Sequence, residues 1–228
     1  VLGYPLYTIA SENNFSRVLA QWLLSGIAQP QPLSHVTILV PNRRSARALE
    51  VILLEESKSN AMLLPNIKPI GDIDEGLIAG SLPEEGVAGA LPKSAHLHAI
   101  LNLVMQWAKT NGNSELAQDV LASGAQAFAL AQSLQELINQ FETEDVDIDK
   151  LQSVYDLDLA GHRQNILDLL QVITSQLPDL LKQQNLIGPS ARRNQLIRLE
   201  AARIVDKKHK GPIIAAGSTG TNPATRDL

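Results

Sequence analysis

Near its end the chain returns to a strand, Ile213-Ile214-Ala215-Ala216, followed by the turn Gly217-Ser218-Thr219-Gly220 and the opening of a helix. A strand cannot leave its backbone donors and acceptors unpaired. Its partners must come from strand-like segments, and those lie in the first 80 residues. Leu6 to Ala10 is a short apolar run. Ser34 to Val40 ends in Val36-Thr37-Ile38-Leu39-Val40, the pattern of a strand buried on both faces. Ala61 to Ile70 is extended, interrupted by Pro65 and Pro69. Between these runs, Phe15, Val18, Leu19, Trp22 and Leu23, and then Ala46, Leu49, Ile52 and Leu53, recur at helical spacing. Strand alternating with helix specifies a parallel sheet.

From about 94 to 210 the periodicity is helical only. Four apolar stripes stand out: Leu97, Ile100, Leu101, Val104 and Ala108; Phe128, Ala131, Leu134, Leu137, Ile138 and Phe141; Ile166, Leu169, Leu170, Ile173 and Leu177; and Leu196, Leu199, Ala202 and Ile204. Asp147 to Leu151 reads as a further helical turn, and 76–93, rich in Gly and Pro, as a loop. The expected fold class is therefore α/β, with a parallel-sheet domain over 1–80, a large all-helical insertion over 94–210, and a return to the sheet over 211–228. Thr221 or Asn222 caps the last helix and Pro223 takes its first position. That helix has no body before Leu228, so the sequence is expected to be part of a longer molecule.

Aromatic residues are 4% of the chain, so the core must be built from aliphatic side chains. There is no cysteine, which excludes disulfides, Cys-ligated zinc and an iron–sulfur cluster within these residues. No apolar run approaches a membrane span, and a cytoplasmic location with no membrane partner is expected. The net charge of -5 hides an asymmetry. Residues 136–158 hold eight acidic groups and residues 182–210 hold eight basic ones. The basic run is either a face for an anionic partner or a solvated helical surface.

Each strand–helix junction is a candidate phosphate site. The first, Ser11 to Phe15, has neither the glycines nor the lysine of a P-loop, and no Gly-Lys pair occurs anywhere. ATP binding there is not expected, and no cofactor is. The second, Pro41-Asn42-Arg43-Arg44-Ser45-Ala46-Arg47, puts three cations at a helix start, against the helix dipole. Arginines in that place either meet an outside anion or are solvated on a turn. Arg43, Arg44 and Arg47 are thus the first candidates for nucleic-acid phosphate contact. Arg192 and Arg193 are the second, with Lys207, Lys208 and Lys210 beyond them. Without interleaved aromatics these clusters do not read as base-stacking sites. The Gly217–Gly220 turn could cradle a phosphate or could simply need glycine at positive φ. Asp72, Asp74 and Glu75 read as a polar turn rather than a metal site, and the histidines form no ligand set. No catalytic residues are assigned.

Several segments, in order along nearly the whole chain, resemble one family. They are Val40-Pro41-Asn42-Arg43-Arg44 with its Ala46-Arg47-Ala48-Leu49 helix, Leu63 to Glu75, Glu142 to Asp147, Leu186 to Asn194, and Gly211 to Ala224. Together they resemble the N-terminal region of AddB, the alphaproteobacterial type of double-strand break repair subunit. The resemblance implies a domain similar to superfamily 1 helicases with a helical insertion. It implies an AddA-type helicase–nuclease subunit and DNA as partners. The Ser11–Phe15 junction then stands where motor-active relatives keep a P-loop, so the implied role is a non-catalytic scaffold that handles DNA ends. The family's nuclease domain has no counterpart in these residues. The alternatives from the residues themselves are a purely structural partner-binding module and a nucleotide-binding domain using the Gly217–Gly220 turn.

Overall fold

Four consecutive buried residues, Thr37 to Val40, form the centre of a parallel sheet. The computed structural model describes residues 5–26, 32–59, 61–70, 88–146, 161–206, 211–218 and 220–228. Its elements begin with α1 (Phe15–Leu24), β1 (Thr37–Val40), α2 (Arg43–Ser57), β2 (Asn66–Pro69) and β3 (Gly89–Ala90). Helices α3 (Lys93–Thr110), α4 (Glu115–Ala122), α5 (Gly124–Thr143) and α6 (Gly161–Gln183) follow. The chain closes with β4 (Leu186–Ile187), α7 (Pro189–Val205), β5 (Ile213–Ala215) and α8 (Pro223–Asp227). The fold is mixed α/β, mostly helical, with a small parallel sheet. It divides into two compact units, Val1–Ser81 with Glu200–Gly220, and Leu82–Leu199 with Thr221–Leu228.

In the first unit the strand order is β2-β1-β5, every pair parallel. Thr37 pairs with Asn66 on one side and with Ile213 on the other. The late strand therefore does find its sheet beside β1, as its need for backbone partners requires. Asn14 caps α1 by accepting the Arg17 N–H at 3.1 Å. Leu19, Ala20 and Leu23 from α1 and Ala46, Leu49 and Leu53 from α2 bury against Ile38 and Val40. Lys68 of β2 meets the buried Glu200 at 3.3 Å, which gives that carboxylate a cationic partner.

One expected strand is absent. Residues 6–10 form no strand, and Leu6 and Tyr7 are 93% and 66% exposed. Both edges of β1 are already taken by β2 and β5, so this run has no place beside the central strand. Tyr7 instead lies on Trp22 of α1, ring centroids 5.3 Å apart.

The second unit is built on α3, α4, α5 and α6. Ser114 and Ser123 cap α4 and α5 through the N–H groups of Ala117 and Gln126. The block is not all-helical, since Gly89–Ala90 pairs in parallel with Leu186–Ile187. Two-residue strands leave no periodicity to read, which is why the expectation missed them. The buried faces also sit slightly off the expected stripes. On α6 they are Leu169, Ile173, Leu177 and Leu181, with Leu170 partly buried and Ile166 40% exposed. On α7 they are Asn194, Leu196, Ile197, Glu200 and Ala201, while Ala202 is exposed. The expected stripe there skipped the polar positions, and two of those are inside. The expected turn at Asp147–Leu151 and most of the 76–93 loop lie outside the described residues.

Candidate nucleic-acid interface

Because β1, β2 and β5 are parallel, their carboxyl ends share one edge of the sheet. The chain leaves β1 toward β2 on one side, and β5 lies on the other, so β1 and β5 flank a topological switch point. Open α/β sheets bind ligands outside the carboxyl ends at such a point. The Ala216 N–H donates to the Leu39 carbonyl at 2.8 Å and the Ile70 N–H to the Val40 carbonyl at 2.7 Å. These bonds hold the strand exits together. Gly217 has φ +70, and a Cβ there would stand 3.3 Å from the Phe15 ring. That contact brings the start of α1 to the same edge.

The first turn of α2 is set by Asn42. Its Oδ1 accepts the Ser45 N–H at 2.9 Å and the Ser45 hydroxyl at 3.1 Å. Ala46, Leu49 and Leu53 anchor the opposite face of the helix in the core. This rotation leaves Arg43, Arg44 and Arg47 exposed. Among the described residues, no carboxylate pairs with Arg44 or Arg47. Arg17 of α1 behaves differently, reaching Glu55 and Glu56 at 3.4 Å each. The α2 arginines therefore present charge beside a helix N-terminus, where the dipole repels cations.

Arg192 and Arg193 lie in the other unit, at the first turn of α7, and both are half-buried. Nη1 of Arg192 donates to the Ala88 carbonyl next to β3. Arg193 has its Nε shielded from solvent. The helix start is capped from outside. The Glu142 carboxylate, at the end of α5, accepts the Ala191 N–H at 3.2 Å and also the Ser190 N–H. Burial raises the pKa of Glu142, partly offset by these two donors. Nδ2 of Asn194 donates to the Glu142 carbonyl at 2.7 Å. Arg198 bonds both Asp145 and, at 3.0 Å, Asp227, which raises its pKa further. The acidic and basic runs thus meet in a network joining α5, α7 and α8.

The Gly217–Gly220 turn spends one of its donors internally, the Gly220 N–H bonding the Ser218 hydroxyl at 3.4 Å. Residue 219 is outside the described residues, as are Asp72, Asp74, Glu75, Lys207, Lys208 and Lys210. At the Ser11–Phe15 junction the Asn13 N–H returns to the Ala10 carbonyl at 3.0 Å, and Asn14 caps α1.

Three polar residues have structural roles that were not expected from the sequence: Glu142, Asn194 and His96. Glu142 stands four residues after the buried Ile138, so helical spacing places it beside the apolar face. Asn194 and His96 sit inside apolar stripes, where a polar residue needs a partner when buried. No family model, curated protein or solved structure matches the chain. Among the described residues, no helix is long and apolar enough to cross a membrane.

Proposed function

We propose that the chain is a non-catalytic, helicase-like scaffold that holds nucleic acid at the carboxyl edge of its first unit. The observation that carries this reading is the exposure of Arg43, Arg44 and Arg47 beside a switch point of the sheet. Side chains there form a cationic surface, and phosphate oxygens are the anions that Arg recognises best in a planar, two-pronged geometry. The Ser11–Phe15 junction supplies no P-loop chemistry, so nucleotide-driven movement is not part of the proposal. The sequence resemblance supports a setting in DNA double-strand break repair, with an AddA-type helicase–nuclease subunit as partner and a cytoplasmic location. Arg192 is engaged with the Ala88 carbonyl and is assigned a secondary role.

Fluorescence anisotropy of a labelled single strand at low salt tests the location of the site. Replacing Arg43, Arg44 and Arg47 together by alanine is expected to remove most binding. Replacing Arg192 and Arg193 is expected to leave more of it. The opposite ranking would move the site to α7. Absence of binding by the parent chain would favour a structural module that contacts only protein.

A further inference from the structure

The second unit contains a cleft of about 370 Å³ that the proposed nucleic-acid role does not use. Its wall is apolar: Ile138, Ile173, Leu177, Leu181 and Ile187 line it. Two features break that wall with hydrogen-bond acceptors. The first is Glu142, whose carboxylate reaches the lining from the end of α5. It binds the Ala191 and Ser190 N–H groups, and a carboxylate has roughly four acceptor sites, so capacity remains. Gly188 keeps this position open, because a Cβ there would collide with both carboxylate oxygens. The second is Pro178 within α6, which has no N–H to offer the Thr174 carbonyl four residues before it. Both Thr174 and Pro178 line the cleft.

Volume and lining are those of a small-molecule site, an apolar wall with a few placed polar groups. The charges decide the ligand class. Lys182 also lines the cleft but is exposed, and an ion pair with a solvated ammonium contributes little. Glu142 is more enclosed, and a partly buried carboxylate gains more from a cation brought to it. We propose that the cleft binds a small apolar amine, with its hydrocarbon body on the isoleucine and leucine wall and its ammonium on Glu142. This site is independent of the nucleic-acid reading. The raised pKa of Glu142 supports it, since a bound ammonium restores the charged form that burial disfavours.

The test uses n-hexylamine and its neutral counterpart n-hexanol, titrated into the full 228-residue chain and followed by the methyl resonances of Ile138, Ile173 and Ile187. The amine is expected to shift these methyls and to bind at least about tenfold tighter than the alcohol near pH 8, the scale of one charged hydrogen bond. Glu142→Gln keeps an oxygen for the Ala191 N–H, so the α7 cap survives, and the variant is expected to lose the preference. In the parent chain, affinity for the amine should fall as the pH drops and Glu142 takes up a proton, while affinity for the alcohol stays level. Equal binding of amine and alcohol, a pH-independent amine affinity, or shifts confined to other methyls would each overturn the proposal. So would shifts of these methyls with protein concentration alone, which would assign the cleft to a second copy of the chain.

Discussion

Helices α2 and α7 begin alike in sequence, each with a proline, a short polar residue and an arginine pair, yet they treat those arginines differently. In α2 the cap is local, Asn42 serving Ser45, and Arg43, Arg44 and Arg47 are exposed. In α7 the cap is Glu142, brought from another helix, and the arginines are drawn inward. Arg192 holds the Ala88 carbonyl, and Arg198, further along, joins Asp145 and Asp227. A helix that caps itself can spend its surface charge on a partner. A helix capped by a neighbour has already committed part of that charge to the fold. The comparison extends to the units. The first places exposed cations at a sheet edge, whereas the second uses its charges to tie helices together around a larger aliphatic core.

Trp22 belongs to the first unit and Trp107 to the second, and these are the chain's two tryptophans. Variants keeping one or the other report each unit separately. The largest expected effect is in the second unit's core. Ile173 is fully buried, and Ile173→Ala should cost on the order of 2–5 kcal/mol, because a cavity remains where the side chain was. Leu170→Ala, on the flank of the same helix, should cost less. Denaturant melts followed at Trp107 check both values. A matching loss at Trp22 would show that the two units unfold as one and would break the comparison.

A smaller effect comes from His96 of α3, which is fully buried. Its Nδ1 lies 3.2 Å from Nε2 of Gln135, and that amide also donates to the Lys93 carbonyl at 2.9 Å. The ring nitrogen is thus the acceptor, and its protonation would set two donors against each other. Burial pushes the pKa below the ordinary 6.5. The stability this group contributes is present above 6.5 and is lost as pH falls through the depressed folded value. Glu142 works in the reverse sense. Its raised value contributes stability below 4.5, and that is lost as pH rises through the folded value. On acidification from pH 7 the two contributions oppose each other, and His96→Gln should remove the destabilising one and shift the Trp107 profile toward greater stability at low pH. An unaltered pH profile in that variant would remove His96 from the account.

The sheet and its late strand were legible because a buried parallel strand is a continuous apolar run, as Val36 to Val40 shows. Arg43 to Glu56 was legible as a helix for the opposite reason, its apolar residues recurring every three or four positions. Leu6 to Ala10 was misread because local apolarity says nothing about whether a sheet edge is available. Gly89 and Leu186 meet only through tertiary structure. The candidate site was half legible. Sequence marked both arginine pairs, but only the structure separates them, since the partner of α7's first turn lies 49 residues earlier at Glu142.

The salt dependence of single-strand binding tests the central claim most directly. Each phosphate contact releases counterions, so the slope of log affinity against log salt counts contacts at roughly 0.7 per phosphate for single strands. Arg43→Ala/Arg44→Ala/Arg47→Ala alters exposed side chains only, so stability should stay within about 0.5 kcal/mol of the parent. The account predicts weaker binding with a slope flatter by up to about two, from as many as three lost contacts. A triple variant with the parent's affinity and the parent's slope would contradict it.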